Sequence, residues 1–210
     1  QHSQSLQSLM AHIPGLVVIM PSTPQAIISS YEHAIHHHRG PVVMLEHRLM
    51  YELSFDNRTT APLVNPFGSR IERVGQDLTI IATSVMVLEA RRAAGHLEKI
   101  GIDAEIIDLH SISHPDKEMI LKSVKKTGRL LVADTSWAEY GVAAEMARII
   151  VEADPGILRV PMKTLAMQPA PCPTGKALED LFYPDVHDLV YASLCLVNGE
   201  GEHNVLLPPK

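Results

Sequence analysis

With 210 residues, of which 46% are hydrophobic and 20% charged, the chain has the composition of a globular protein and not of a disordered one. Its formal net charge of −6 and its lack of a basic run exclude nucleic acid and anionic membranes as expected partners. No apolar run approaches the roughly 18 residues that span a bilayer, and the two cysteines, Cys172 and Cys195, show no CxxC spacing. We therefore expect a protein of a reducing compartment that does not enter a membrane.

The first 46 residues predict a β-α-β unit. Apolar residues at helical steps indicate a short helix ended by a Pro-Gly pair, and residues 16–20 are typical of a buried strand. Ser22 or Thr23 can cap the next helix, which has a proline at its first position, and residues 42–46 predict a second strand. Two strands are too few for independent stability. Because the chain also starts in mid-element without a methionine, we expect a fragment or a processed chain.

Residues 47–77 form a long connection with little apolar periodicity, and loops of this length usually join domains or carry function. We place the domain boundary near residue 60. The sequence thus predicts a partial domain over 1–60, a complete domain over 61–198 and a polar tail over 199–210. We expect the tail to be poorly ordered or draped over a neighbouring part of the protein.

The complete domain is organised around residues 78–134, where strands and helices alternate. Strands are predicted at 78–82, 104–109 and 129–134, and helices after Ser84, ending at Lys99-Ile100-Gly101, and over 115–125. This spacing predicts an α/β fold with a doubly wound, mostly parallel sheet, because parallel neighbours need a crossover that covers a face. A helix over 139–152, an edge strand over 158–165 and a helix over 185–197 complete the domain.

Two groups of residues suggest chemistry without any resemblance. His33 and His37 lie four apart on a helix, which suits a metal, although a cation-rich helix end explains the same run and is the interpretation we favour. The segment Asp134 to Trp137 follows a parallel strand, at the end where open α/β sheets bind ligands. A lone tryptophan there is equally typical of a packing or interface anchor. The sequence contains no GxGxxG, GxxxxGK[ST], GxSxG or HExxH motif.

An ordered series of short motifs runs across nearly the whole chain. The series is His2-Ser3-Gln4, AHIPGLVVIMPSTP at 11–24, PVVMLEH at 41–47, GIDAEIIDL at 101–109, SVKKTGRL at 123–130, and Trp137 with Gly141 and Glu145. It resembles the β subunit of the E1 component of 2-oxo acid dehydrogenase complexes, the family of the pyruvate, branched-chain and acetoin dehydrogenase E1 enzymes. The resemblance implies the fold of a transketolase-type C-terminal domain over 61–198. It also implies that residues 1–60 are the C-terminal part of a pyrimidine-binding thiamine-diphosphate domain.

The resemblance implies partners and a cofactor that the chain alone does not provide. It implies an α2β2 assembly with an E1 α subunit, self-association through the β subunit, and acyl transfer to the lipoyl group of the E2 acyltransferase. Thiamine diphosphate and Mg²⁺ are then held at the subunit interface by the α subunit and by a glutamate upstream of this chain, so we expect no cofactor or metal ligand here. The implied location is the cytoplasm, or the mitochondrial matrix in a eukaryote.

Only one catalytic residue is carried over by the resemblance. His2 matches the loop histidine of the family's His-Ser-Gln motif, whose implied role is to assist transfer of the acyl group to the lipoyl arm. An imidazole suits this role because it exchanges a proton near neutral pH. Without the partner subunits, His2 is equally explained as a frayed terminal residue, and we expect the isolated chain to be inactive.

Two departures from the family pattern bear on function. The family's monovalent-cation loop is short and acidic, whereas residues 36–40 are longer and basic here, so we expect no potassium site. Asp134 replaces the usual glutamate, and we expect any contact across the subunit interface at that corner to shift or vanish.

Two other functions are compatible with the sequence. The first is a catalytically silent assembly module, in which the transketolase-type domain only dimerises or binds E2. The second is a small-molecule-binding domain of flavodoxin type. It is disfavoured because no phosphate-cradling glycine loop follows the first strand.

Overall fold

Two sheets, one small and one large, organise the part of the chain that the structure describes. The computed structural model describes residues 4–55 and 63–199. Strands β1 (Val17–Ile19) and β2 (Val42–Met44) form a parallel pair. The five-stranded sheet contains β3 (Arg70–Arg73), β4 (Leu78–Ala82), β5 (Ala104–Asp108), β6 (Leu130–Trp137) and β7 (Lys163–Met167), in the order β3-β5-β4-β6-β7. Only β3 is antiparallel to its neighbour, which confirms the prediction of a mostly parallel sheet.

Helices connect these strands. They are α1 (Gln7–Ala11), α2 (Pro24–His36), α3 (Val85–Glu98), α4 (Lys117–Thr127), α5 (Val142–Ala153), α6 (Lys176–Glu179) and α7 (Val186–Asn198), with single 3-10 turns at Arg48–Met50 and Pro155–Ile157. Across the described ranges, none of these helices has the length and apolarity that a membrane span requires.

The ends of the helices follow from local sequence. The side chain of Thr23 accepts a hydrogen bond from the backbone N–H of Ala26, so Thr23 is the cap of α2. Ser84 precedes α3 as predicted, but its hydroxyl does not cap the helix and lies 3.4 Å from the carbonyl oxygen of Pro21. Gly101 follows α3 at φ +81°, a left-handed conformation that favours glycine.

The helices cover both faces of the large sheet. Helices α3 and α7 pack on one face, together with Ile80 and Ile106, whereas α4 and α5 pack on the other with Ile81 and Ile107. All four isoleucines are fully buried. Because successive side chains of a strand point to opposite faces, burial of neighbouring residues shows that the sheet is doubly wound.

The structure corrects three details of the sequence prediction. Strand β3 was not predicted, because three of its four residues are charged and it lies at the edge of the sheet. Strand β7 begins at Lys163, five residues later than predicted, since a 3-10 turn and Pro161 precede it. Strand β6 continues through Trp137, with an irregular register between Ala133 and Trp137. Of the predicted tail, only Gly199 lies within the described residues.

Residues 4–55, which we call the first unit, lie against the carboxyl edge of the large sheet. The segment that follows β5 forms an isolated bridge with β1 between Ser111 and Ile19. Two backbone bonds support the bridge: the N–H of Met20 donates to the carbonyl of His110 at 2.8 Å, and the N–H of Ile112 donates to the carbonyl of Val18 at 2.9 Å. The edge at which the parallel strands end is therefore covered by the chain itself.

We expect Ile106→Ala and Ile107→Ala to lower the free energy of unfolding by similar amounts, about 2–5 kcal/mol each, because each leaves a cavity in a different core. Urea unfolding monitored by circular dichroism measures both. Ile71→Ala in β3 is the control, since this side chain is 47% exposed and should cost far less. A large loss for only one of the two neighbours would contradict a sheet covered on both faces.

Candidate functional site

Polar side chains meet the first unit where β4, β5 and β6 end. Thr83 follows β4, Asp108 ends β5 and Asp134 lies in the last half of β6, and each of them is at most 3% exposed. This carboxyl edge is where ligands of open α/β sheets bind. In this chain the positions next to the two carboxylates are taken by residues of the first unit.

Asp134 is held by hydrogen bonds from three side chains. The Nε2 atom of Gln7 donates to both carboxylate oxygens at 3.0 Å, and Oγ1 of Thr83 donates to one of them at 2.5 Å. The hydroxyl of Ser136 donates to the other oxygen. The side chain therefore lies inside the chain, with its carboxylate oxygens occupied by donors of the same chain, so it is not directly available to a ligand.

Trp137 connects the end of β6 to a neighbouring segment of the chain. Its indole N–H donates to the carbonyl oxygen of Gln168 at 3.0 Å, which ties the end of β6 to the segment after β7. It also lines a surface groove with Leu9 and Tyr140.

Asp108 joins three elements. It accepts hydrogen bonds from the hydroxyl of Ser22 at 2.5 Å, from the guanidinium of Arg70 in β3, and from the backbone N–H of His110 at 3.0 Å. Burial raises the pKa of Asp108 to about 6, an effect larger than the opposing attraction of Arg70. Sequence reasoning missed this cluster because it missed β3, which supplies the arginine.

His110 extends the same cluster towards α2. Its backbone is left-handed, with φ +53°, and its ring is fully buried. The Nε2 atom lies 2.9 Å from the carbonyl oxygen of Pro66 and 3.2 Å from the hydroxyl of Ser30 in α2. Burial lowers the pKa of His110 to about 4, so the ring is neutral at pH 7. Because a carbonyl oxygen can only accept, Nε2 carries the hydrogen and donates the bond to Pro66.

A cavity of about 200 Å³ lies where the carboxyl ends of the two sheets meet. Its wall comprises Gln4, Ser5, Leu6, Gln7, Met20, Leu45, Glu46, His47, Arg48, Thr135 and Tyr183. We call this cavity the inter-sheet pocket. It receives the ends of β1 and β2 from one side and the end of β6 from the other.

Two titratable side chains of the inter-sheet pocket come directly after β2. The carboxylate of Glu46 accepts hydrogen bonds from the hydroxyls of Tyr31 at 3.1 Å and Tyr51 at 3.0 Å, and these bonds raise the pKa of both tyrosines. Burial lowers the pKa of His47, so its imidazole is neutral at pH 7 and can accept a proton. Neither residue was predicted as a site residue, although both follow a parallel strand, and the carboxyl-edge rule could have found them.

His2 lies outside the described residues. Gln4, two positions later, is the first residue of the chain that the structure places, and it lines the inter-sheet pocket. The histidine rings at the end of α2 are tilted against one another: the ring centroids of His33 and His37 are 5.7 Å apart with an interplanar angle of 40°, and His33 packs edge-on against Phe67 at 4.6 Å. Within residues 4–55 and 63–199, no three His, Cys, Asp or Glu side chains converge as metal ligands.

Comparison with protein families places both parts of the chain. Residues 68–189 match the transketolase C-terminal domain, and residues 1–54 match the transketolase pyrimidine-binding domain. The chain belongs to the transketolase C-terminal domain family. These matches confirm the two transketolase-type domains that the resemblance implied.

Named relatives extend the similarity to E1 β subunits. The chain is 35% identical to the β subunit of acetoin:2,6-dichlorophenolindophenol oxidoreductase of Cupriavidus necator, with 97% of this chain and 60% of the relative covered. It is 36% identical to the pyruvate dehydrogenase E1 β subunit of Rhizobium meliloti, with 91% and 42% covered. It is 39% identical to the mitochondrial pyruvate dehydrogenase E1 β subunit of Chaetomium thermophilum, with 88% and 49% covered. The chain thus spans about half the length of these relatives.

A solved structure supports the transketolase-type fold. A split-gene transketolase, described as an inactive β4 tetramer, superposes with a TM-score of 0.74 over 91% of this chain and 60% of its own. At 23% sequence identity, this likeness concerns the fold alone.

The pKa values of Asp108 and His110 predict opposite pH effects. As the pH falls from 6.5 to 4, the folded state takes up a proton on Asp108 that the unfolded state does not yet bind, which adds stability. Over the same range the unfolded state binds a proton on His110, whereas the buried ring of the folded state stays neutral, and this difference lowers stability. Each effect amounts to about 3 kcal/mol and the two offset each other.

We therefore expect Asp108→Asn and His110→Asn to change the pH dependence of unfolding in opposite directions. As the pH falls from 6.5 to 4, the free energy of unfolding of Asp108→Asn should decrease more than that of the wild type, and that of His110→Asn should decrease less. Urea unfolding at each pH measures both changes. Asparagine tolerates the left-handed backbone at position 110. Parallel curves for the two variants would contradict the burial of one or both groups.

Proposed function

We propose that this chain is the C-terminal part of the β subunit of a thiamine-diphosphate-dependent E1 enzyme. The reaction is the oxidative decarboxylation of a 2-oxo acid such as pyruvate, with transfer of the acyl group to the lipoyl group of an E2 component. In this proposal residues 1–60 complete a pyrimidine-binding domain, residues 61–198 are the C-terminal domain, and 199–210 are a tail. Bacterial and mitochondrial proteins are among the relatives, and the proposed location is the cytoplasm or the mitochondrial matrix.

The inter-sheet pocket is the observation that carries the proposal. It lies between a unit that matches the pyrimidine-binding domain and one that matches the C-terminal domain, and residues 4–7 of its wall lead directly back to His2 in the sequence. The described wall offers a neutral imidazole, a carboxylate held by two tyrosines, and the guanidinium of Arg48. A carbonyl substrate and a lipoyl sulfur both need such groups for proton exchange and orientation.

The described residues do not fit the diphosphate or its metal. They contain no convergent set of three metal ligands, and no glycine-rich loop follows β4 to cradle phosphates. We therefore assign the diphosphate and Mg²⁺ to the α subunit.

The proposal gives His2 one chemical task. Its imidazole donates a proton to a lipoyl sulfur as the dithiolane opens and the other sulfur takes the acyl group. This task is separate from decarboxylation, so the two steps can be measured independently.

A catalytically silent assembly module is the second candidate. Co-expression of the full open reading frame with its α partner separates the two candidates. The enzyme decarboxylates pyruvate or 2-oxoisovalerate, or cleaves the carbon–carbon bond between the carbonyl and carbinol carbons of acetoin, in the presence of thiamine diphosphate and Mg²⁺, whereas the silent module turns over none of them.

We expect His2→Ala in the reconstituted enzyme to slow acyl transfer to lipoamide at least tenfold while decarboxylation coupled to an artificial oxidant stays within about threefold. Stopped-flow measurement of the first and dye reduction for the second provide the comparison. Equal losses in both assays would remove the task assigned to His2.

We also propose that the chain self-associates. The parallel pair β1-β2 is too small to be stable alone, and α2 exposes three apolar side chains on one stripe, with Ile28 57%, Tyr31 46% and Ile35 70% exposed. A second copy of this stripe is the partner that buries it in a symmetric contact.

Sedimentation velocity at micromolar concentration should therefore give a dimer or a larger species. Ile28→Asp combined with Ile35→Asp should shift the chain to monomer. Val151→Asp is the control, because Val151 is similarly exposed, at 60%, on α5. A wild-type monomer would contradict self-association, and a double variant that still dimerises would exclude this stripe.

A further inference from the structure

The crevice at the carboxyl ends of β4 and β6 is filled by the chain itself. The chain runs from β4 to β5 on one side and then to β6 on the other, so the strand order reverses between β4 and β6. A ligand crevice is expected at such a reversal. Here Gln7 lies in the crevice, only 1% exposed, and donates to both carboxylate oxygens of Asp134 across 127 residues of sequence.

The same contact borders the inter-sheet pocket. Gln7 is part of the pocket wall, and so is Thr135, the residue after Asp134. Asp134 itself is 3% exposed and does not reach the pocket. Its influence on the pocket is therefore exerted through the segment that Gln7 holds.

Few other polar contacts fix that segment, whereas Met10 and Ala11 at the far end of α1 pack against the core that α4 and α5 share. Helix α1 has only five residues, which is far too short to be stable on its own, and no side chain caps its start at Leu6. Leu6 and Leu9 are 41% and 66% exposed, so much of the apolar surface of α1 contributes nothing to docking. The buried bonds between Gln7 and Asp134 are consequently the main polar attachment of residues 4–7 to the large sheet.

We propose that Asp134 is a positioning residue of the inter-sheet pocket, acting through Gln7 to hold residues 4–7 against the ends of the two sheets. The inference rests on the proposed function for its consequence in turnover, because His2 is carried by the same segment. Thr83 and Ser136 serve the carboxylate in turn: their hydroxyls hold its oxygens in the orientation that accepts both bonds from Gln7.

Hydrogen exchange tests the anchoring without any need for activity. Asp134→Asn places an amide N–H against the donor of Gln7, and Gln7→Leu removes the donor while the carboxylate keeps its hydroxyl partners. Both variants should speed exchange of the amides of Met10 and His12 at least tenfold, since these bond within α1, and leave β4 and β5 unchanged. Thr79→Val is the control. It breaks a buried hydroxyl network with Ser123 and Thr127 on the far side of the sheet and should leave α1 as in wild type.

Swapping the amide and the carboxylate between positions 7 and 134 distinguishes loss of this contact from a general loss of stability. Gln7→Glu alone opposes two carboxylates and should loosen α1 most, whereas Gln7→Glu combined with Asp134→Asn lets the new amide donate to the new carboxylate. The double variant should return exchange to within threefold of wild type. A double variant as loose as the worse single one would overturn the proposal.

Turnover in the reconstituted enzyme supplies the functional readout. Asp134→Asn should lower kcat for acyl transfer at least tenfold with KM changed less than twofold, and it should not slow His2→Ala any further. The inference would be overturned if the amides of α1 exchanged at the wild-type rate in Asp134→Asn, if its kcat were unchanged, or if its loss of kcat added to that of His2→Ala. Failure of the proposed function is a separate outcome: the wild-type assembly then shows no turnover, and exchange alone decides whether Asp134 holds residues 4–7.

Discussion

The architecture depends on two carboxylates that are buried at one edge of a parallel sheet. Asp108 and Asp134 are at most 3% exposed, and an ionised carboxylate in such surroundings is tolerated only when donors reach its oxygens. Residues of the large sheet and its loops supply part of the donors. The remainder come from the first unit, as the hydroxyl of Ser22 and the amide of Gln7. The two units are therefore joined by the requirement to satisfy these charges, and not only by apolar contact.

This junction also creates the pocket. Parallel strands of both sheets end at the same place, so backbone and side-chain polar groups are concentrated there. Because Gln7 fills the crevice of the large sheet, the open space is displaced to the gap between the sheets, where Glu46 and His47 lie. A site formed in this way takes residues from both units.

Much of the fold was predictable from sequence, because its central strands are short apolar runs separated by amphipathic helices. The full burial of Ile80, Ile81, Ile106 and Ile107 matches what such runs predict. Strand β3 was not predicted, because an edge strand does not need apolar residues. The ion pair between Arg70 of this strand and Asp108 was therefore not predicted either.

The candidate site was less accessible from sequence. The bond between Gln7 and Asp134 joins residues 127 positions apart, and no periodicity connects them. The sequence predicted that the strand ends at Asp134, because the irregular continuation of β6 to Trp137 is not visible in the hydrophobic pattern. Motif resemblance identified the family where local chemistry could not, and His2 stays a prediction because it precedes the described residues.

The most direct test of the account is a crystal structure of the complete β subunit with its α partner and bound thiamine diphosphate. If the proposed function is right, the reactive ring of the cofactor opens onto the inter-sheet pocket, within reach of residues 4–7 and His47, and the diphosphate is held by the other subunit. A cofactor bound at a site remote from this pocket, or a diphosphate held by residues of this chain, would contradict it.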